Sequence, residues 1–302
     1  MDLRQLKYFQ LASQLNSISK AADQLHIAQP SVSIAIQKLE EELGVQLFNR
    51  SQRQITLNAE GRVFSKRVND ILASIDDSIR EMKDLSKSPH GTINIGVPSM
   101  IGLSLFPHIF AQFQKQYPRF SLTAIEAGSV TIRNLVEQGH IDVGFITQSA
   151  APSPAIIKAA SPSALDTIPI TTGQIYLCLY PGHPLTHLAN IPFEQLSGQS
   201  FILLRKDTFN RQAILAECKK HHFTPQIIFS SSQVETIISL VELEIGITFL
   251  FDAIAKRYPA IQSFPLADPI YYQIALTWNR NRYLSNAAKT FVEFMSGVHF
   301  SV

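Results

Sequence analysis

The stretch that most constrains the fold of this chain runs from Ile18 to Leu57. Its apolar residues are spaced for two short helices, a turn and a two-stranded hairpin. In the second helix they recur at steps of four, three and four, so one stripe faces a core and the other positions face outward. That stripe consists of Val32, Ile36, Leu39 and Leu43. Because Ala21 and Ala22 in the first helix permit a close crossing, the stretch predicts a helix-turn-helix, although two ordinary core helices would show the same periodicity.

Polar side chains mark the start of the second helix, and a basic hairpin follows it. The polar residues that face outward are Gln29, Ser31, Ser33 and Gln37. Pro30 stands in the first turn, where a helix needs no N–H donor. Arg50 and Arg53 lie near the hairpin tip, which suits contacts to phosphates or a narrow minor groove. A charged hairpin that serves solubility alone would look similar.

The amino-terminal region closely resembles the DNA-binding domain of LysR-type transcriptional regulators. The matching residues are Leu3, Leu6, Phe9, Ser19, Ala21, Ala22, Leu25, Gln29, Pro30, Ser31, Ser33, Leu39, Glu40, Leu43, Gly44, Leu47, Phe48, Arg50, Leu57 and Gly61. The resemblance implies a winged helix-turn-helix over residues 1–58 whose recognition helix enters the major groove. The candidate DNA-binding residues are Gln29, Pro30, Ser31, Ser33, Ile34, Gln37, Lys38, Arg50 and Arg53.

Two residues depart from the family pattern in this domain. Ala28 stands where the family often has a hydroxyl, so a helix cap or phosphate contact is expected to be lost there. Ile34 stands where a long polar or basic residue is frequent. Its apolar side chain would suit the thymine methyl groups of A·T-rich half-sites, and the alternative is a core or dimer contact.

A long amphipathic helix is predicted after the hairpin, with Asn58 as its N-cap and its end near Leu85. The apolar seam of this helix consists of Phe64, Val68, Ile71, Ile75, Ile79 and Met82. So narrow a seam between charged residues predicts pairing with a second copy, as a homodimer or homotetramer, and the resemblance implies the same. The alternative is a helix packed on its own chain. Residues 59–87 are assigned to this linker helix, and residues 88–91 to a hinge.

Strands alternate with helices from Thr92 onward, which indicates a parallel sheet with covering helices. Ser99 is predicted to open one helix that reaches Tyr117. The resemblance covers essentially the whole chain and implies a two-lobed domain like a periplasmic binding protein. Lobe 1 is predicted from residues 92–163 plus 267–302, and lobe 2 from residues 164–266. The predicted fold class is therefore α/β overall, with a mainly α winged domain and a linker helix before the two lobes.

The ligand site is expected at the carboxyl ends of the strands, where helix N-termini attract anions. The resemblance implies that these ends line an effector cleft between the lobes. The candidate effector-binding residues are Ser99, Met100, Ser129, Thr147, Gln148, Leu203, Leu204, Thr248 and Phe249. We expect a small anionic metabolite there, most simply a carboxylate held by Ser99 and helix N–H groups. Serines are also common helix caps. Arg205 is a candidate countercharge for the anion, and the alternative, which we favour, is a solvated surface residue.

The rest of the sequence argues against other function classes. With 45% hydrophobic and 17% charged residues, the chain has the composition of a soluble globular protein, and its net charge of +2 predicts modest non-specific DNA binding. No signal peptide or membrane-length apolar run is evident, so a cytoplasmic location is expected. No catalytic set, cofactor motif or metal-ligand spacing stands out. The two cysteines, Cys178 and Cys218, predict buried reduced thiols.

The sequence thus predicts a LysR-type regulator that is not an enzyme and uses no metal or cofactor. Its expected partners are double-stranded promoter DNA, a small-molecule effector and further copies of itself, with RNA polymerase as a candidate and no membrane. A small-molecule binding protein for transport or storage is the first alternative, and an enzyme is the second. The absent export signal counts against the first, and the missing catalytic set counts against the second.

Overall fold

The computed structural model describes residues 1–51, 54–85, 91–150, 164–188 and 191–297. The chain forms two compact units, Met1–Leu85 and Ser86–Val302. The described helices include none that is both long and apolar enough to cross a membrane. Residues 88–90 of the predicted hinge lie outside the described residues. The predicted lobe boundary between residues 163 and 164 falls at the edge of another such range.

The first unit has the predicted winged helix-turn-helix order. Its elements are α1 (Leu3–Leu15), α2 (Ile18–Leu25), α3 (Gln29–Leu43), β1 (Phe48–Ser51), β2 (Gln54–Leu57) and α4 (Ala59–Leu85). The strands β1 and β2 pair antiparallel as the wing. Local caps explain the helix starts, because the side chains of Asp2 and Ser17 accept backbone N–H bonds at the beginnings of α1 and α2. Ala28 gives α3 no side-chain cap, as the sequence predicted.

The core of this unit is built on the apolar stripe of α3. Val32, Ile36 and Leu39 are fully buried, whereas Leu43 is exposed beside the end of the helix at Gly44. Gly44 has a positive φ of 68°, a conformation that glycine adopts without a Cβ penalty. The chain then turns into the wing. The first three residues of the predicted apolar stripe of α3 are thus buried in the core of the unit.

A buried carboxylate connects the recognition helix to the wing. Glu40 on α3 is only 2% exposed, and its Oε1 accepts the backbone N–H of Leu47 at 2.7 Å and that of Phe48 at 3.4 Å. These amides lie at the start of β1, which is paired with β2 alone among the described strands. The Glu40 carboxylate therefore satisfies donors that would otherwise be buried without a partner.

The predicted seam of α4 divides into two parts. The helix begins as expected, because the Asn58 side chain accepts the N–H of Gly61 at 2.7 Å. Phe64 then packs its ring on Phe9, with centroids 5.2 Å apart, and Val68 is fully buried in the same core. These two residues therefore face their own unit, which corrects their assignment to the dimer seam. The cause is that α4 crosses α1, which covers the first turns of the seam.

The second part of the seam remains on the surface of the unit. Ile71, Ile79 and Met82 are exposed by 40%, 48% and 58%, and Ile75 is half-buried. An exposed apolar stripe at helical spacing favours a partner helix.

The second unit contains nine described strands and seven described α-helices. Its strands are β3 (Thr92–Val97), β4 (Ser121–Glu126), β5 (Val143–Ser149), β6 (Leu165–Leu179), β7 (Ser200–Leu204), β8 (Gln226–Ser231), β9 (Thr248–Phe251), β10 (Gln262–Pro265) and β11 (Tyr271–Asn279). Its α-helices are α5 (Ser99–Ser104), α6 (Phe106–Gln116), α7 (Ser129–Gln138), α8 (Phe209–Lys220), α9 (Val234–Glu242), α10 (Asp252–Ala255) and α11 (Asn286–Gly297). The alternation that the sequence predicted is present.

The strands form two lobes that share β6. In the first lobe, β3 pairs parallel with β4 and β5, and β11 lies antiparallel between β5 and β6. The first part of β6, to Gln174, belongs to this sheet, whereas its continuation from Ile175 pairs with β9 and β10 of the second lobe. The parallel pair β7 and β8 completes the second lobe. The change of sheet therefore falls inside one strand, about ten residues after the predicted boundary at residue 164.

The predicted helix from Ser99 to Tyr117 is broken into α5 and α6. Pro107 has no N–H to donate to the carbonyl of Leu103, so the α-helix cannot continue through this point. Arg257 compensates by donating from Nη1 to the Leu103 carbonyl at 2.9 Å. A side-chain hydrogen bond therefore satisfies the carbonyl that the break in the helix leaves free.

Candidate functional site

The amino-terminal part of α3 presents the predicted DNA-contacting face to solvent. Gln29, Pro30, Ser31, Gln37 and Lys38 are exposed, and Ser33 is half-buried. Their arrangement on one exposed helix start matches a recognition helix, which contacts base edges with its amino-terminal residues.

Ile34 lies on the same exposed face. It is 53% exposed, which removes the interpretation of this residue as part of its own core. Base contact or a contact with another molecule remains for it. Arg53 and the side chain of Arg50 lie outside the described residues, so their predicted roles rest on the sequence.

The candidate effector residues of the first lobe gather around the start of α7 and the end of β5. The hydroxyl of Ser129 is buried and accepts the N–H of Thr147 at 2.9 Å. Gln148 donates from its side chain to that of Gln273 at 3.0 Å. Ser129 therefore connects a helix start to a strand end, and this bond occupies a hydroxyl that was predicted to face a ligand.

The remaining first-lobe candidates lie at the start of α5. Ser99 is its half-buried first residue, and Met100 packs into the core with 4% of its surface exposed. The helix has no side-chain cap at Pro98. Ser99 is thus the candidate in this segment whose surface remains open to a small molecule.

The candidates of the second lobe belong to its core. Leu203, Leu204, Thr248 and Phe249 are at most 2% exposed, and the Phe249 ring packs 5.4 Å from that of Phe201. They are not among the residues that line the cleft described below, and their burial corrects their prediction as effector-binding residues. The physical reason is that β7 and β9 are covered by helices and neighbouring strands, so only the residues after a strand end become accessible.

A cleft of about 660 Å³ opens next to those strand ends. Its lining residues are Thr131, Arg205, Lys206, Asp207, Arg211, Ser230, Ser231 and Ser232. They come from the segment that follows β7, from the end of β8 and the residue after it, and from the first turns of α7 and α8. Arg205, which the sequence suggested to be a solvated surface residue, therefore faces this cleft. The signal that could have identified most of these residues is their position at or directly after the carboxyl ends of two parallel strands.

Asp207 joins the two lobes across this cleft. Its Oδ2 accepts the N–H of Gly128 and the hydroxyl of Thr131, each at 2.8 Å, and its carbonyl accepts the N–H of Val130 at 3.1 Å. Burial disfavours the ionised carboxyl, but the hydrogen bonds from Thr131 and Gly128 outweigh it and hold the pKa of Asp207 below its ordinary value. Asp207 thus binds the amino terminus of α7 as an anion would.

Glycine at position 128 is required by the same contact. A Cβ at Gly128 would overlap the backbone of Asp207 on the opposite side of the cleft. The approach of the two lobes at this point is therefore as close as a bare backbone allows.

Other potentially reactive side chains are buried or hydrogen-bonded within the protein. Cys178 and Cys218 are free and buried, and burial raises the pKa of their thiols to about 12 and about 11. His221 lies with Nδ1 2.6 Å from Glu194 and Nε2 3.1 Å from Glu217. Both partners of His221 are side chains of its own lobe.

Comparisons with known proteins cover almost the whole chain. Residues 3–62 match the family model of the bacterial regulatory helix-turn-helix protein, lysR family, and residues 86–298 match the LysR substrate binding domain. An uncharacterized HTH-type transcriptional regulator of Bacillus subtilis, YwbI, is 31% identical over 296 residues, which are 97% of this chain and 95% of that protein. A probable RuBisCO transcriptional regulator of Cyanidioschyzon merolae is 31% identical over 311 residues, at 98% of each protein.

Solved structures share the fold. A full-length variant of OxyR from Pseudomonas aeruginosa has a TM-score of 0.57 at 24% identity, and the match covers 98% of this chain and 99% of that one. Full-length CbnR in complex with its target DNA has a TM-score of 0.60 at 20% identity, with the same coverage. Together, the two family matches show that this chain belongs to the LysR family of transcriptional regulators, with a DNA-binding helix-turn-helix domain and an effector-binding domain, and that it is not an enzyme.

Proposed function

We propose that this regulator binds a two-fold symmetric promoter site as a homodimer or homotetramer and alters transcription when a small anionic metabolite, most simply a carboxylate, occupies the cleft. The cleft itself carries the proposal, because Arg205, Lys206 and Arg211 line it and, among the described residues, a single acidic side chain, Asp207, accompanies them. Its surplus of positive charge favours an anion. The regulator would bind its promoter DNA in the cytoplasm, with RNA polymerase as a candidate partner.

The DNA-binding part of the proposal is supported by the exposed face of α3. A storage or transport protein would have no need for a helix that presents Gln29, Ser31 and Gln37 outward above a wing. The second half of α4 leaves Ile71 and Ile79 exposed, and a second copy of the chain would cover them. Pairing of two copies would place two recognition helices on successive major-groove faces.

The coupling between ligand and DNA would pass through the lobes. The Asp207 hydrogen bonds to Gly128 and Thr131 join the lobes at the cleft, so a ligand there changes the contacts that fix their spacing. An effector can shift the oligomer only by its difference in affinity between two arrangements. Contacts that exist in one lobe spacing and not in another supply that difference.

Effector binding is expected to raise the thermal stability of the full-length protein. A ligand at 100 times its dissociation constant adds about 2.7 kcal/mol, which corresponds to roughly 5 to 10 °C for a unit of this size. Differential scanning fluorimetry with a panel of carboxylates would reveal the shift. Lys206→Gln should reduce it, whereas Lys219→Gln, which removes an exposed charge outside the cleft, should not. Equal shifts in both variants would contradict the proposed location.

The Ile34→Arg variant is expected to change which DNA sequence the protein prefers. Exchanging a methyl contact for guanidinium hydrogen bonds should favour G·C over A·T at one position by about 1 to 3 kcal/mol. Arg50→Ala should instead weaken all sites alike, because phosphate contacts carry no sequence information. Competition binding to a library of half-sites measures both effects. If Ile34→Arg weakened every sequence equally, Ile34 would not contact a base.

A further inference from the structure

The second-lobe side of the cleft forms a pocket for a charged group. The parallel strands β7 and β8 end side by side. Arg205 and Lys206 follow β7, and three consecutive serines, Ser230 to Ser232, form the last two residues of β8 and the residue after it. In α/β sheets, the carboxyl ends of parallel strands are where ligands bind. The sequence-based candidates Ser99 and Ser129 belong to the first lobe and are not part of this group.

Arg211 forms the floor of this pocket and is incompletely satisfied. It is 7% exposed, and its Nη1 donates to the Leu204 carbonyl at 3.1 Å and to the Ser230 hydroxyl at 2.6 Å. Among the described residues, its buried Nε has no hydrogen-bond partner, and the guanidinium forms no ion pair. A buried arginine without a carboxylate is costly, and a bound anion would remove that cost.

The start of α9, which closely follows Ser232 of the lining, adds further donors. α8 begins at Phe209 and α9 begins at Val234, after the segments that line the pocket. Thr208 caps α8, but Gln233 gives α9 no side-chain cap, so the first amides of α9 are left without a side-chain acceptor. Free N–H groups at a helix start are favourable for an anion.

The charge balance specifies the kind of anion. Three cationic side chains face the pocket, namely Arg205, Lys206 and Arg211. The acid in the lining, Asp207, already holds Gly128 and Thr131 of the other lobe. The described lining thus has an excess of two positive charges.

We propose that this second-lobe pocket binds a small dianion, with its charged oxygens on Arg211, Lys206 and the serine hydroxyls. A phosphoryl group and a dicarboxylate share this chemistry. The inference deepens the proposed function. It rests on that function for one claim, namely that the bound dianion regulates DNA binding. A monoanion would leave one cation uncompensated. We therefore expect it to bind at least tenfold more weakly, which corresponds to at least about 1.4 kcal/mol of binding free energy.

Isothermal titration of the full-length protein with inorganic phosphate, succinate and acetate at constant ionic strength would test the pocket. At least one of the two dianions should bind at least tenfold more tightly than acetate. Arg211 also supports the backbone of β7, so the variants should target Lys206 and Ser230, which are exposed. Lys206→Gln and Ser230→Ala should each weaken dianion binding at least threefold, whereas Lys219→Gln should bind within twofold of the wild type.

The possible outcomes distinguish a phosphoryl group from a dicarboxylate, and they distinguish binding in the pocket from regulation of DNA binding. Tighter binding of phosphate than of succinate assigns a phosphoryl group, and the reverse assigns a dicarboxylate. The pocket is refuted if neither dianion binds, if acetate binds equally well, or if Lys206→Gln and Ser230→Ala leave binding unchanged. Footprinting on promoter DNA tests the other claim: dianion binding with an unchanged footprint would support the pocket but contradict its regulatory role. A footprint that responds to a monocarboxylate and to neither dianion would support the proposed function but contradict the preference for a dianion.

Discussion

Replacing Ile71 and Ile79 together by aspartate is expected to yield monomers in sedimentation velocity. Both side chains are exposed in the single chain, and their spacing along α4 places them on the stripe that Met82 continues. A symmetric pairing of two helices would bury four new carboxylates without partners, at a cost of several kcal/mol. DNA affinity should fall as well, because a monomer contacts one half-site instead of two.

Lys66→Glu is the matched control for this variant. It changes the net charge by the same two units on the same helix, but it lies about 140° around the helix axis from both isoleucines. The control should remain oligomeric. Oligomers that persist in the double aspartate variant would show that α4 pairs through other residues, or not at all.

Glu40→Ala is expected to destabilise the DNA-binding unit by about 3 kcal/mol, because the amides of Leu47 and Phe48 lose a buried acceptor. For a unit of this size the midpoint of its thermal transition should fall by roughly 10 to 20 °C. Circular dichroism would follow that transition. The wing should lose its position against α3 first, so DNA affinity is expected to drop before helicity does.

Glu41→Ala provides the comparison for Glu40→Ala. The two residues are adjacent and carry the same charge, but Glu41 is exposed and accepts a hydrogen bond from the side chain of Gln37 at 3.0 Å. Its removal should change the stability by less than about 0.5 kcal/mol. Equal losses in the two variants would mean that charge rather than the buried hydrogen bonds is responsible.

The sequence predicted the amino-terminal unit well because its signals are local. The stripe of Val32, Ile36 and Leu39 is buried as periodicity required, and Ser17 and Asn58 cap the helices they precede. Periodicity is silent, however, on which surface covers an apolar stripe. Phe64 and Ile71 belong to the same seam of α4, yet one packs on Phe9 and the other remains exposed.

The cleft was harder to predict because it depends on where each strand ends. Placing the strand-end candidates at Leu203 and Leu204 selected two core residues, although the next residue, Arg205, lines the cleft. An error of one or two positions exchanges a buried side chain for an accessible one. Arg211 gave no signal, because a basic residue on a helix is normally a surface residue and here it is buried.

The carboxylate of Asp207 acts as a ligand that the chain carries within itself. An effector carboxylate that bound at the start of α7 would have to displace a tethered competitor with a high effective concentration. Its apparent dissociation constant would then exceed the intrinsic one by the inverse of the fraction of molecules in which Asp207 is detached. Substitution at position 207 alone could therefore set the metabolite concentration at which such a sensor responds, while every residue that touches the metabolite stays the same.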